Sequence, residues 1–498
     1  MKKHPYVLSS LLLVSVLASS CGGGAADTKP DNTDVLSPQI SEASDGEAET
    51  TVAEELPSLV IDERWDGEDV TMLVRSEFLY EFLNDDTADV VNDAIYKRQL
   101  AVEELLGINL KIADITGTFS TKDKYLGELK ASVLAGDGAY DIAASAANYM
   151  LPVIPDGLFH DLAGNRYIDL SKEWWSQGYV ENMEIDGSLY LATGSISVNS
   201  LDNMCVMFFN KKMREDMDLE NPYELVNAGT WSFDKQVQMS HAVTSDIDGD
   251  SVISADDRVG CYSYNNMCIA QTISFGLDFS KRGDDGHPYI TYLSDRMVTA
   301  FERFRDFRLS SDYLEGKQDG QDTLDLTTVM QQKYQNGNMF IMAQVLSSAK
   351  VMRGMDVDFG IIPMPKLDES QERYYTCAME NLTVVGIPSS VENTDRAGAV
   401  IEAMAIDGYN SITPAYFESA LKGKYARDNE SADMLELIRD SLWFDFAYLN
   451  SVSLNDINHL FNNSISKGKE ITSAFEAQKE KIEKNLAKLL DGYASLKQ

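Results

Sequence analysis

The stretch Asp137–Gly164, DGAYDIAASAANYMLPVIPDGLFHDLAG, decides the fold. Between Gly138 and a polar turn, Tyr140-Asp141-Ile142-Ala143-Ala144-Ser145 is a run of small and branched residues, the composition of a strand covered on both faces. Ala147, Asn148 and Tyr149 follow directly. In an open parallel sheet, ligands bind in the crevice outside the carboxyl ends of the strands, so Asn148 and Tyr149 occupy a recognition position rather than a packing one. Met150–Ile154 predicts one short turn of helix, and Gly157–Leu162 closes it as the rim of a cleft.

Upstream, Val70–Val74 is an apolar strand that ends at Arg75-Ser76-Glu77. Asp89–Gly107 has helical spacing and stops at Gly107; Ile108–Ile112 alternates as a strand; Lys122–Ala135 is a second helix. With the Tyr140 strand this makes β-α-β-α-β, which predicts a parallel sheet with right-handed crossovers. Downstream the pattern changes. Trp174-Trp175 open a helix, Asp186-Gly187 is the preferred pair for a two-residue hairpin turn, and Met204–Phe209 is a buried strand. Ser232 stands where it caps a following helix. Gly337–Met342, Asp358–Pro363 and Leu382–Pro388 read as strands, Asp395–Ala405 as an amphipathic helix, and Ile471–Leu490 as a helix packed on a lobe surface. A chain of 498 residues exceeds what one core usually serves, so two α/β lobes are expected. No internal repeat is present.

The N-terminus carries Lys2 and Lys3, an apolar core at Val7–Leu17, and Ala18-Ser19-Ser20-Cys21. This is a signal segment at 1–21, similar to that of bacterial lipoproteins, with Cys21 as the lipidated residue. The apolar run is too short to span a bilayer. Residues 22–57 are acidic and poor in apolar side chains, a disordered tether that holds the folded part away from the membrane. Against 42 Lys and Arg stand 80 Asp and Glu, a net charge of −38 that argues against nucleic acid, whose phosphates need cationic partners. Beyond Cys21 four cysteines remain, an even number that permits disulfides without showing them; Cys261 and Cys268 are the candidate pair, while Cys205 and Cys377 lie in apolar runs as core thiols.

Taken in order, YDI at Tyr140–Ile142, GSLYLATG at Gly187–Gly194, FFNKKM at Phe208–Met213, GTWSFD at Gly229–Asp234, YQNGNMFIM at Tyr334–Met342, FGIIPMPK at Phe359–Lys366 and VVGIP at Val384–Pro388 resemble the extracellular solute-binding proteins of ABC transporters, in the maltose-binding-like cluster. The resemblance covers nearly all of the chain after the tether. It implies a two-lobed periplasmic-binding-protein-like fold that closes on a ligand about a hinge. It places lobe 1 at 58–166 plus 378–427 and lobe 2 at 167–377 plus 428–498, with crossings near Gly164–Tyr167, Tyr374–Met379 and Arg427. It also implies a monomer that delivers a sugar or oligosaccharide to a membrane permease.

A sugar cleft needs aromatic faces against the C–H face of the ring and planar polar groups for its hydroxyls. Arg75 and Glu77, Asn148 and Tyr149, and Glu380 and Asn381 have that chemistry at strand ends or at the return crossing. Trp174, Trp175, Tyr190, Trp231 and Trp443 are the aromatic candidates, with core packing the competing role, above all for Trp231. The loop 245–257 places Asp246, Asp248 and Asp250 at positions one, three and five and Asp257 at twelve, an oxygen set for calcium in a structural role, with Ser251 where such loops carry Gly. Enzyme signatures are lacking: HExxH, GxSxG and GxxxxGK[ST] do not occur. Two rivals stay open at this stage, a surface glycoside hydrolase or lyase and a surface adhesin or sensor.

Overall fold

Three of the expected strands form one sheet, β1 (Asp69–Arg75), β2 (Asn109–Ile115) and β3 (Ile142–Ala146). The computed structural model describes residues 56–85, 89–254, 257–264, 267–316, 334, 337–352, 357–422 and 429–497. Cys21, the signal segment and Arg427 lie outside them. β1 runs parallel to both β2 and β3, and β12 (Thr383–Gly386) joins antiparallel to β3, giving the order β12-β3-β1-β2. Helices Val90–Leu106 and Lys122–Ala135 make the two crossovers. The first begins where the Asp89 carboxylate accepts from the amides of Val91 and Asn92 at 3.0 and 3.1 Å, and ends at Gly107, whose φ of 75° is open to glycine at little cost. All five residues of β3 are buried. Their small side chains let Tyr125 reach across the sheet, its hydroxyl 3.0 Å from both Leu73 O and Ala144 O.

The second sheet has five strands, β4 (Cys205–Asn210), β5 (Val259–Tyr264), β8 (Tyr313–Gly316), β9 (Met339–Val345) and β10 (Phe359–Pro363), in the order β10-β4-β9-β5-β8. β4 is antiparallel to both neighbours, while β5 runs parallel to β8 and β9. Three short pieces complete the strands: a hairpin of β6 (Ser280–Arg282) and β7 (Pro288–Ile290), and β11 (Thr376–Cys377) paired with β13 (Leu442–Trp443). A cluster of Phe233, Phe275, Phe304 and Phe307, with rings 5.1–6.5 Å apart, fills one face of the sheet's core. Ser232 caps helix Phe233–Val243 as expected, accepting from Lys235 N. Asp186 and Gly187 turn the hairpin with φ of 53° and 77°, and Ile185 pairs with Ser188.

The chain passes between the sheets later than the sequence suggests. Rather than leaving the first sheet for good at Tyr167, the chain rejoins it at Ala192, which exchanges both backbone hydrogen bonds with Val385 of β12 at 2.9 Å, and Thr193 Oγ1 donates to Thr383 O at 2.8 Å. The first crossing is therefore the segment from 194 to 204, and the return runs from 378 to 382. Asn199 Oδ1 accepts from Thr383 N at 3.1 Å, Met379 N donates to Asn203 O at 3.1 Å, and Met204 pairs with Ala378, so the two crossings lie side by side. Helix Thr394–Asp407 continues into a wider turn at Gly408, where a Cβ would stand 1.9 Å from Ser195 O; only glycine lets that helix touch the crossing. The C-terminal helix also differs. The periodic run from Ile471 breaks into Ile471–Glu476 and Lys479–Ser495, and Gly492 of the second piece packs on Pro155 of the first lobe.

Candidate ligand cleft at the strand ends

β1, β2 and β3 end at the same edge of their sheet, and because β12 is antiparallel, its entry from the return crossing lies at that edge too. Topology alone thus gathers Arg75, Glu77, Asn148, Tyr149, Glu380 and Asn381. Ala147 N donates to Leu382 O at 2.9 Å and Asn148 N to Glu380 O at 3.0 Å, fastening the end of β3 to the crossing. The Tyr149 ring is buried. Desolvation raises its phenol above the ordinary value; Arg75 pulls it down, while Glu380 and Glu77 push it up.

Each charged group has a distinct task. Arg75 is 3% exposed and stays within the fold: its Nη2 donates to Asn381 O at 3.2 Å and to Thr383 Oγ1 at 3.1 Å, and its guanidinium lies 3.9 Å over the Phe78 ring. Thr383 Oγ1 in turn donates to Glu81 Oε1 at 2.7 Å. Glu77 is exposed and holds the turn after β2, accepting from Thr116 Oγ1 at 2.6 Å and Gly117 N at 2.9 Å. Desolvation pushes its carboxyl up, but those two bonds and the Arg75 charge outweigh it and hold it below the ordinary value. Glu380 bridges to the second lobe. One of its carboxylate oxygens lies 3.2 Å from the Tyr448 hydroxyl, and it also adds to the field that raises the Tyr264 phenol at the end of β5, where desolvation is the larger cause. The Asn148 amide oxygen is buried without a protein donor among the described residues, so it is an acceptor left for something else.

The aromatic candidates fare differently. Trp174 and Trp175 precede a helix that begins only at Gln177, and both are buried, their Nε1 atoms donating to the two carboxylate oxygens of Glu402 at 2.9 and 3.0 Å. Trp231 is fully buried, with Nε1 donating to Pro363 O at 3.0 Å. Tyr190 packs on Tyr493, ring centroids 5.9 Å apart. None of these four is brought to the strand ends; each is held in the core. Trp443 is half-buried against Tyr375, with the Arg373 guanidinium 5.3 Å from its ring.

Instead, the aromatic surface beside Tyr149 is Phe119, which is 78% exposed on the turn that Glu77 holds. Lys122 links the two rings, its ammonium 4.7 Å from the Phe119 centroid and 6.0 Å from that of Tyr149. A signal for Phe119 was in the sequence: an aromatic residue between Gly117-Thr118 and Ser120-Thr121 has no apolar neighbours to pack with.

The acidic loop forms a separate feature, its neck pinned by two backbone bonds between Ser245 and Arg258. Ligand oxygens of Asp246, Asp248 and Asp250 come within 4.8 Å of one another on the surface. Ser251 takes φ 72°, the left-handed conformation for which such loops usually employ glycine. An amide bond from Asp250 lowers the Asp248 carboxyl, but desolvation and the charges of Asp250, Asp257 and Asp246 outweigh it and leave it raised. Asp257 departs from expectation. Its two oxygens are engaged by the amides of Ile247 and Ser254, both at 2.8 Å, so it shapes the loop rather than joining the cluster.

No family model matches the chain, and no curated protein matches it in sequence. Solved structures do match. An ABC substrate-binding protein of Listeria monocytogenes in complex with cycloalternan superposes with a TM-score of 0.54 at 13% identity, over 85% of this chain and all (100%) of that one. The sugar-binding protein MalE of Xanthomonas citri gives 0.56 at 13% identity, over 84% and 98% of the two chains. The maltotriose-bound MalE domain of Bdellovibrio bacteriovorus gives 0.52 at 13% identity, over 85% and 100%. Identities this low speak to architecture: the chain has the two-lobed, periplasmic-binding-protein-like α/β fold shared by these ABC solute-binding proteins.

Proposed function

We propose that the protein binds a sugar or oligosaccharide between its lobes and presents it to an ABC permease, working as a monomer at the outer face of the cell membrane, where a lipid on Cys21 anchors it. The observation that carries this reading is the pairing of an exposed Phe119 face and the Tyr149 ring with an unpartnered Asn148 acceptor and the Glu380 carboxylate at the ends of the first-lobe strands. Aromatic faces match the apolar side of a pyranose, and fixed polar groups choose among hydroxyl patterns because an unmatched buried polar group is costly. Solved proteins of this fold hold cycloalternan and maltotriose, which supports the same ligand class here. Glu77, Asn148, Tyr149, Glu380 and Asn381 line the site, with Phe119 as the platform. Closure draws the second lobe, through Tyr264 and Tyr448, onto a ligand held by the first; the ligand stabilises the closed state by its differential affinity for it. The solute is carried and not cleaved.

The test is thermal unfolding of the full chain against a panel of mono- and oligosaccharides. A ligand of the folded state raises the midpoint, by about 2.7 kcal/mol of stabilisation at a hundredfold excess over its dissociation constant. One glycan is expected to give a saturating rise and to be recovered intact. Phe119→Ala is expected to weaken its binding about tenfold, the loss of roughly 1–2 kcal/mol of stacking, with the unliganded midpoint unchanged because the ring is exposed. Recovery of cleaved glycan, or silence across the panel, would count against the reading.

We also propose that Asp246, Asp248 and Asp250 hold a calcium ion that stiffens the 245–257 insertion, since three clustered carboxylates repel one another without a cation. Calcium is expected to raise the unfolding midpoint and chelator to reverse it, with Asp248→Ala insensitive to both; equal midpoints with and without calcium would remove the metal.

A further inference from the structure

Cys205 opens β4 at the end of the first crossing, and Cys377 closes β11 at the start of the return. The antiparallel pairing of Met204 with Ala378, and the bond from Met379 N to Asn203 O, set their register. One step along, Cys205 stands directly opposite Cys377. Residues directly opposite in an antiparallel pair point to the same face, and their Cα separation of about 4.5–5.5 Å lies within the range that disulfides span, so closing the Cβ atoms to the roughly 3.5–4.5 Å of a disulfide takes only a small shift of the two strands. Both residues are fully buried, and Cys377 is among the neighbours that, after desolvation, raise the Cys205 thiol. The other two described cysteines are engaged elsewhere: Cys261 Sγ accepts from Gln236 Nε2 at 3.5 Å, and Cys268 Sγ lies 3.4 Å from Arg308 Nη1.

From this geometry we propose that Cys205 and Cys377 are an oxidisable pair whose disulfide staples the first crossing to the return crossing at the pivot between the lobes. The position makes the bond consequential. The Tyr448 hydroxyl contacts Cys377 Sγ at 3.4 Å and Glu380 at 3.2 Å, so the sulfur pair and the cleft carboxylate share one neighbour. The closed loop contains nearly the whole second sheet, and a disulfide acts mainly by restricting the unfolded chain, more for longer loops. Burial pushes the Cys205 thiol up and keeps thiolate scarce in the folded protein, so the pair oxidises as the chain folds, before the sulfurs are covered.

The oxidant is a small-molecule disulfide. One cysteine thiolate attacks it, giving a mixed disulfide and one released thiolate; the second cysteine thiolate attacks the protein sulfur of that mixed disulfide and expels the other half. The external S–S bond is thereby exchanged for Cys205–Cys377, and the two protons given up by the cysteines reside on the two released thiols. Nothing in this step depends on the identity of the solute.

The full chain, denatured and reduced, is refolded with oxidised and reduced glutathione, alkylated, digested and mapped by mass spectrometry. The expected result is loss of two free thiols with the Cys205 and Cys377 peptides joined, Cys261 and Cys268 being alkylated separately. Cys377→Ser carried through the same treatment keeps its remaining thiols. In the wild type, alkylation of both Cys205 and Cys377, or their joining to other cysteines, overturns the proposal whether or not the variant folds.

Discussion

Replacing Arg75 with methionine is expected to destabilise the fold by about 3–5 kcal/mol, the cost of leaving a buried charge without its partner. The charge left behind is that of Glu81, which is 1% exposed and linked to Arg75 through the Thr383 hydroxyl. Burial already raises the Glu81 carboxyl, and Arg75 is the first influence holding it down, ahead of the bonds from Ser197 and Thr383. Glu81 also accepts from Ser197 Oγ, and its backbone oxygen accepts from the fully buried Arg98 at 2.6 Å. The network therefore ties the end of β1 to both crossings. Urea unfolding of the single variants and of Arg75→Met/Glu81→Gln measures it. The double variant is expected to recover part of the loss, a coupling of about 1–3 kcal/mol. A loss below about 1 kcal/mol for Arg75→Met, or plain additivity, would show that the two groups do not support one another.

Glu402→Leu is expected to cost about 2–6 kcal/mol, because two buried indole N–H groups lose their acceptor and each unsatisfied donor costs about 1–3 kcal/mol. The same residue makes stability depend on pH. Burial raises its carboxyl from 4.5 to about 7, against the opposing bonds from Asp169 N, Trp175 and Trp174. A carboxyl raised in the folded state favours the protonated form there. Its contribution is fully present below about 4.5 and is lost as pH rises through about 7. Asp445, raised by burial to about 6, acts in the same direction. Glu402→Gln removes one titration but offers a single acceptor to two indoles, so it is expected to be less stable than the wild type at low pH and to lose less between about pH 4.5 and 7. Denaturant midpoints across that window decide it; parallel slopes for the two proteins would exclude Glu402 as a source.

Local order was legible where the chemistry is local. Strand and helix periods located β1, β2 and the helix Lys122–Ala135, and the β-α-β-α-β sequence implied the parallel sheet that forms. The strand-end positions of Asn148, Tyr149 and Glu77 were legible for the same reason, since strand ends can be found from the run of residues that precedes them. Glu380 needed the family resemblance to place the return crossing. Trp174 and Trp175 looked like stacking candidates because their partner, Glu402, stands 227 or 228 residues further along, and nothing near them announces a buried carboxylate. Arg75 looked like a ligand group because the sequence does not show Thr383 and Glu81 arriving beside it.

By itself, then, the sequence determined the alternation of strands and helices, the two-lobed class, the acidic composition and the edge of the first sheet at which its strand ends gather. Tertiary structure alone decided where the chain crosses, which aromatic rings stay exposed, and which thiols face each other. The division follows from range. Periodicity and capping act over a few residues and leave their mark in any short window, whereas a crossing such as Met204 against Ala378 pairs segments with no local memory of one another.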